Sequence, residues 1–232
     1  MSEIHYQLAF CDQGISRSLT VPVDHNSLPR TDPVPEPLPQ WLRLECLQCS
    51  HCPLASAPGA HCPAALSLLP LVQEFSGTLS HEAVDLTVTI DQRTISLHCT
   101  AQQAIGSLAG LLLATSACPH FSFLRPLARY HVPLAGLEET HLRAISAYLM
   151  GQFLRAQKGL AADFSCAGLV ERYQLLDEVN RRLVERLRLA TEQDSMVNAV
   201  VVLDMLARTF SLAMDDLPAE LDRMYQSYLL LE

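Results

Sequence analysis

The chain is expected to be an α+β protein, with N-terminal antiparallel β-hairpins packed on a C-terminal, mainly helical bundle. Three observations lead there. Val84, Leu86, Val88 and Ile90 alternate with polar residues at period two, and Ile95, Leu97 and Cys99 do so again after Asp91-Gln92. At Ala101 the period changes, and residues 101–116 form an apolar run of helical length. Beyond it Leu169, Tyr173, Leu176, Leu183 and Leu187 recur at helical spacing.

Taken in order, residues 4–10 and 16–23 alternate loosely around Asp12-Gln13-Gly14, a turn cluster, and predict a first hairpin. Residues 27–39 hold five prolines and predict an extended connector. Trp41, the only tryptophan, is expected to cover a core edge. After a cysteine loop, residues 64–75 predict a short helix that Pro70 kinks or shortens. The hairpin of residues 83–90 and 94–100 follows, and then the buried helix 101–116, whose Gly106 and Gly110 predict a close helix crossing. Pro119, Pro126 and Pro133 mark 118–133 as a loop. Glu138 and Glu139 open a helix over 137–158, which Gly159 stops. Ser165 is the expected cap of the next helix, whose other face carries Arg172, Arg181, Arg182, Glu185 and Arg188. Residues 194–214 predict a buried helix, and Pro218 starts a last amphipathic one that ends in Tyr228-Leu229-Leu230-Leu231. The whole chain, 1–232, is expected to be a single domain, with a β-rich part (1–100) and a helical part (101–232).

With 49% apolar and 18% charged residues among 232, there is material for a substantial core. A net charge of -9 argues against a nucleic-acid binder, which needs clustered Lys and Arg. Residues 1–20 lack the apolar run of a signal peptide, so a cytoplasmic protein with reduced thiols is expected. The charge-free stretches 46–73 and 94–124 are too short or too broken for membrane spans, and no membrane association is expected.

The chemistry concentrates in Cys46-Leu47-Gln48-Cys49-Ser50-His51-Cys52-Pro53, closed by His61-Cys62-Pro63. Four of eight cysteines stand there at the spacing C-x2-C-x2-C-x9-C. Such density in a reducing compartment suggests thiolate ligands, since a C-x2-C hook reaches two corners of a zinc tetrahedron. Cys46, Cys49, Cys52 and Cys62 could supply all four, or Cys118, in the other Pro-marked loop, could be a remote ligand. An iron–sulfur cluster with a remote ligand is the alternative cofactor, and buried thiols without metal the bland one.

A second constellation lies in Cys118-Pro119-His120, Arg125-Pro126 and Arg129-Tyr130-His131. Its arginines either hold an anion or a carboxylate partner, or tie the loop to Glu138 and Glu139; the second role is the commoner one. Glu138 and His141 have the spacing of half a carboxylate-bridged di-iron site, but no second half is present. Glu139 and Arg143 are expected to pair along the helix. His81, Glu82 and His98 flank the second hairpin as surface residues, and the arginine face at 172–188 reads as solvated. Nucleotide-binding and serine-hydrolase motifs are absent.

Five segments carry a resemblance: Cys49-Ser50-His51-Cys52-Pro53-Leu54, His61-Cys62-Pro63-Ala64-Ala65, Ser116-Ala117-Cys118-Pro119-His120-Phe121, residues 123–133 and Glu138-Glu139-Thr140. With Asn198 to Asp204 they look like an uncharacterised bacterial protein family, from about Trp41 to near the C-terminus. No activity comes with that likeness. It implies a ligand set of Cys49, Cys52, Cys62 and Cys118, with Cys46, His51, His61 and His120 in reserve. The expectation is then a zinc-binding interaction or regulatory protein with a structural Cys site, a homodimer suggested by the Leu-rich C-terminus. The alternative is a metal-dependent or redox enzyme that takes its substrate at His120, Arg125, Arg129 and His131. Whether the protein is an enzyme is left open at this level.

Overall fold

The structure, a computed structural model, describes residues 2–55, 57–191, 197–198, 200–201, 203 and 217–230, of which 217–220 in backbone alone. The fold is α+β. Strands β1 (Ser2–Phe10), β2 (Ile15–Val23), β3 (Ala83–Ile90) and β4 (Arg93–Thr100) form one antiparallel sheet in the order β2-β1-β3-β4. Helices α1 (Pro63–Ser67), α2 (Leu69–Phe75), α3 (Ala101–Thr115), α4 (Arg125–Arg129), α5 (Leu137–Gln157), α6 (Ala167–Ala190) and α7 (Leu217–Leu229) are described beside it.

Period two decides which face of the sheet is buried. Ile4, Tyr6, Leu8 and Phe10 of β1 and Val84, Leu86, Val88 and Ile90 of β3 all point into the core, while Glu3, Gln7 and Asp85 stay outside. Both hairpins turn on left-handed residues. Gly14, at φ 63°, closes the first, and its amide donates to Phe10 O at 3.1 Å. Asp91, at φ 52°, closes the second, a conformation that aspartate tolerates better than most.

Thr100 ends β4 and starts α3. Its hydroxyl accepts from the Gln103 amide at 3.4 Å, and Gln103 Oε1 accepts from the Thr100 amide at 3.0 Å, a capping box that turns the chain from strand to helix. α3 is buried nearly all round, with Leu108, Leu111, Leu112 and Leu113 among its core residues. Each such Leu contributes about 1.5–3 kcal/mol by leaving water. Gly110 packs toward Leu203, where a Cβ would stand 3.5 Å from Cδ2, an ordinary contact that does not itself require glycine.

The expected helix 64–75 is two helices, α1 and α2, that break at Leu68, because Pro70 lacks an amide to continue the ladder. The expected loop 118–133 is more ordered than its prolines suggest. A 3-10 turn, Pro119–Leu124, and the short helix α4 occupy it, each with its proline in the first turn, where no amide is required. The Pro-rich connector is tied down by Arg30, whose amide donates to Thr115 O at 2.7 Å. The Arg30 side chain pairs with Asp32 at 2.7 Å and donates to Ser67 O at 3.2 Å.

Gly159, at φ 68°, stops α5 as expected. The expected Ser165 does serve the start of α6, its hydroxyl accepting from the Ala167 amide at 3.4 Å, but it is not the N-cap residue. Cys166, at φ 62°, occupies the N-cap position without a side-chain bond, and the Asp163 carboxylate takes over, accepting from the Ser165 and Gly168 amides at 2.8 Å each. The helix expected over 194–214 lies outside the described residues, save Val197, Asn198, Val200, Val201 and Leu203, which are helical. Among the described residues no single helix is long and apolar enough to cross a membrane.

Candidate metal centre

The cysteine loop does not simply belong with the sheet half; it lies on α6. Ser50 donates to Glu178 of α6 through its amide at 2.9 Å and its hydroxyl at 2.7 Å. On the loop's other flank, Arg43 and His61 form an isolated β-bridge, and the Cys62 amide donates to Leu42 O at 2.8 Å. Cys118 approaches from a third element, at the start of the 3-10 turn that follows α3.

Cys49, Cys52, Cys62 and Cys118 line one small cavity of about 20 Å³, together with His120, Arg182 and Arg186. That volume is on the order of one water-sized occupant. Burial, then Cys62 and Cys52 as charges, push the Cys49 thiol up to about 11. Burial pushes the Cys118 thiol up to about 12, against amide hydrogen bonds from His120 and Phe121 that favour its thiolate. Those N–H···S bonds arise because Pro119 starts a tight turn directly after the cysteine. His120 Nε2 is buried and has no hydrogen-bond partner among the described residues. Burial, and secondly the His51 ring, lower the His120 pKa, which favours the unprotonated ring.

The four sulfurs line the cavity without converging on one point. Among the described residues, no three of them lie within 4.8 Å of one another. Thiolates on a tetrahedral zinc stand roughly 3.7 Å apart, so an ion here would require the side chains to turn inward. The donor set suits zinc nonetheless: soft sulfur from two turns, one unpaired imidazole nitrogen and room for a single ion.

The reserve residues divide. His120 lines the cavity, while Cys46 and His61 do not. His51 stacks on His120 at 4.5 Å between ring centres, and its own nitrogens face Leu175 O at 3.0 Å and Glu178 at 3.4 Å. The residue that sequence reasoning missed is Arg186. It is 2% exposed in the described structure, and its guanidinium donates to Trp41 O at 2.6 Å, Arg43 O at 2.8 Å and Leu44 O at 3.1 Å. It thus fastens the segment before the cysteines to α6, and its charge favours the thiolate of Cys49. Helical spacing was the available signal, since Arg186 falls beside Leu183 and Leu187 on the apolar stripe. Arg182, placed on a solvated face, is instead half-buried between Glu178 and Glu185 at 3.8 and 3.0 Å.

The second constellation does not converge. Arg125 donates to Ser116 O at 3.0 Å, within its own loop and not to Glu138 or Glu139. Arg129 is exposed and lies over the Tyr130 ring at 5.5 Å. His131 points the other way, toward the sheet, hydrogen-bonded to Tyr6 and 3.5 Å from Ser107 Oγ. Burial, then Arg143, lower the His131 pKa to about 4. Arg143 donates to Tyr130 O at 2.6 Å, where an ion pair with Glu139 was expected. On the far face of the sheet Cys11, Asp85 and His98, all exposed, do hold three donor atoms within 4.8 Å. Only the cross-strand pairing of β3 with β4 sets Asp85 beside His98, so spacing along the chain gave no sign of it.

The chain belongs to the family described as domain of unknown function DUF6901, whose model matches residues 4–226. No curated protein and no solved structure matches it.

Proposed function

We propose that this member of the DUF6901 family binds a structural zinc ion through Cys49, Cys52, Cys62 and Cys118, with His120 in reserve as a substitute for one of the four, and acts as an interaction or regulatory protein. The observation that carries the reading is that four cysteines from two distant segments line one ion-sized cavity beside an unpaired imidazole nitrogen. Four protein ligands leave no position for substrate, and such closed sites stabilise folds rather than catalyse. The ion would tie the 46–63 loop and the turn after α3 to one another over α6. Arg186 would offset the negative charge that four thiolates place around a divalent ion.

The redox or metal-dependent enzyme is the weaker reading, because Arg125 and Arg129 do not line the cavity and His131 faces away from it. A cytoplasmic homodimer is also part of the proposal, supported by the exposure of Tyr228, Leu229 and Leu230 at the end of α7 and checked by sedimentation. Elemental analysis and an absorption spectrum of protein purified without oxygen test the centre. One zinc per chain, lost in Cys118→Ser, is expected. Visible colour would replace zinc by an iron–sulfur cluster, and metal-free protein that ignores added zinc would overturn the proposal.

A further inference from the structure

A second cavity, of about 370 Å³, is lined by Phe121 and Leu124 of the 3-10 turn and by Leu176 and Asn180 of α6, none of which lines the cysteine cavity. Leu111, Phe121, Leu124, Leu127 and Leu176 make its walls apolar, and Gly106 and Gly110 of α3 leave it room. The size is within the range of small-molecule sites. The zinc site makes no use of it.

Arg143, His131, Ser107 and Asn180 are among the polar residues that line this apolar space. Arg143 is one of its lining residues, and the single hydrogen bond its side chain makes among the described residues, to Tyr130 O, occupies one of five N–H groups. Burial lowers the Arg143 pKa, and Glu139, on the same helix, is the carboxylate that acts on it. His131, kept neutral, and Ser107 stand beside it. Farther along α6, Asn180 is 2% exposed, and its Oδ1 has no partner among the described residues. A buried carbonyl oxygen without a donor is costly, and a ligand hydroxyl or amide would satisfy it.

We infer that this cavity binds a mid-sized amphipathic monocarboxylate. Its carboxylate takes the unused N–H groups of Arg143, its chain lies along the α3 glycines and the leucines, and a donor partway along it meets Asn180. A guanidinium fork is the group best matched to a carboxylate, and here it lines a largely apolar cavity. A phosphate would lack the apolar body these walls require.

Calorimetry on the intact protein tests this with decanoate, decanol of equal chain length, and a hydroxylated decanoate. Decanoate is expected to bind, decanol at least about tenfold more weakly, and the hydroxylated acid more tightly than decanoate. Arg143→Met, which keeps the apolar stem, is expected to remove the preference for the acid over the alcohol. Ala135→Trp, at a half-buried position in the lining, is expected to block all three ligands while circular dichroism stays native. Equal affinity for acid and alcohol in the unaltered protein would overturn the assignment, as would undiminished binding in natively folded Ala135→Trp. Absence of heat with every ligand would do the same. Zinc content is expected to be unaffected by either substitution, so a failure here is separable from a failure of the metal reading.

Discussion

Replacing Arg186 by Met separates what the guanidinium does from what its hydrocarbon stem does. The side chain makes three hydrogen bonds to carbonyls of residues 41, 43 and 44, from a position 2% exposed. A bond to a charged group contributes about 1.5–3 kcal/mol, so three would sum to roughly 4–9 kcal/mol. Against that stands the several kcal/mol that burying a cation costs, which the substitution relieves. Methionine retains most of the apolar contact but leaves three carbonyls without donors. The net loss expected is about 3 kcal/mol. Urea unfolding followed by fluorescence reads it directly, because the only tryptophan, Trp41, supplies one of the three carbonyls. Affinity for the proposed zinc ion should fall with stability, since the same charge favours the Cys49 thiolate. A loss under about 1 kcal/mol, with Trp41 emission unchanged, would refute the view that Arg186 fastens this segment to α6.

Three further outcomes are expected. His131 has a pKa of about 4 in the fold against 6.5 as its ordinary value, so the unfolded chain binds a proton the folded one refuses as pH drops between those values. Stability should be full above pH 6.5 and fall by about 3 kcal/mol as pH approaches 4; a His131→Phe chain whose stability falls just as steeply over that window would refute the assignment. Gly168→Ala would set a Cβ 2.5 Å from Tyr148 Oη and 3.3 Å from Asp163 Oδ2, breaking the cap of α6. The midpoint of thermal unfolding should drop by about 3 °C, and no change would show that Asp163 is dispensable. In metal-free protein at neutral pH, iodoacetamide should modify exposed Cys11 well before Cys49 or Cys118, whose thiols lie near 11 and 12; mass spectrometry finding Cys118 modified first would contradict its burial.

Much of the fold was legible in the sequence where one local rule governs one element. Period-two alternation placed β3 and β4 within a residue, and Gly159 ended α5 where a left-handed residue was required. Prolines misled in one place. They marked 118–133 as a loop, although a proline in the first turn is compatible with helix, and Pro119 and Pro126 both occupy such turns. For the candidate centre, sulfur-rich spacing pointed to Cys46, Cys49, Cys52 and Cys62 with Cys118 as a remote candidate, and a resemblance put Cys118 in the place of Cys46. What spacing could not supply was orientation, hence the different fates of His51, His61 and His120.

The amino-acid sequence by itself determined the hairpins, the buried helix α3 and the grouping of thiols, because each depends on neighbours within a few residues along the chain. Only the tertiary structure decided that Arg186 would reach back across some 140 residues to three carbonyls, and that Asp163 would join Ser165 in holding the first amides of α6. It also opened a cavity beside Arg143. Burial, unsatisfied donors and enclosed volume belong to pairs of elements packed together, and no single stretch of sequence carries them.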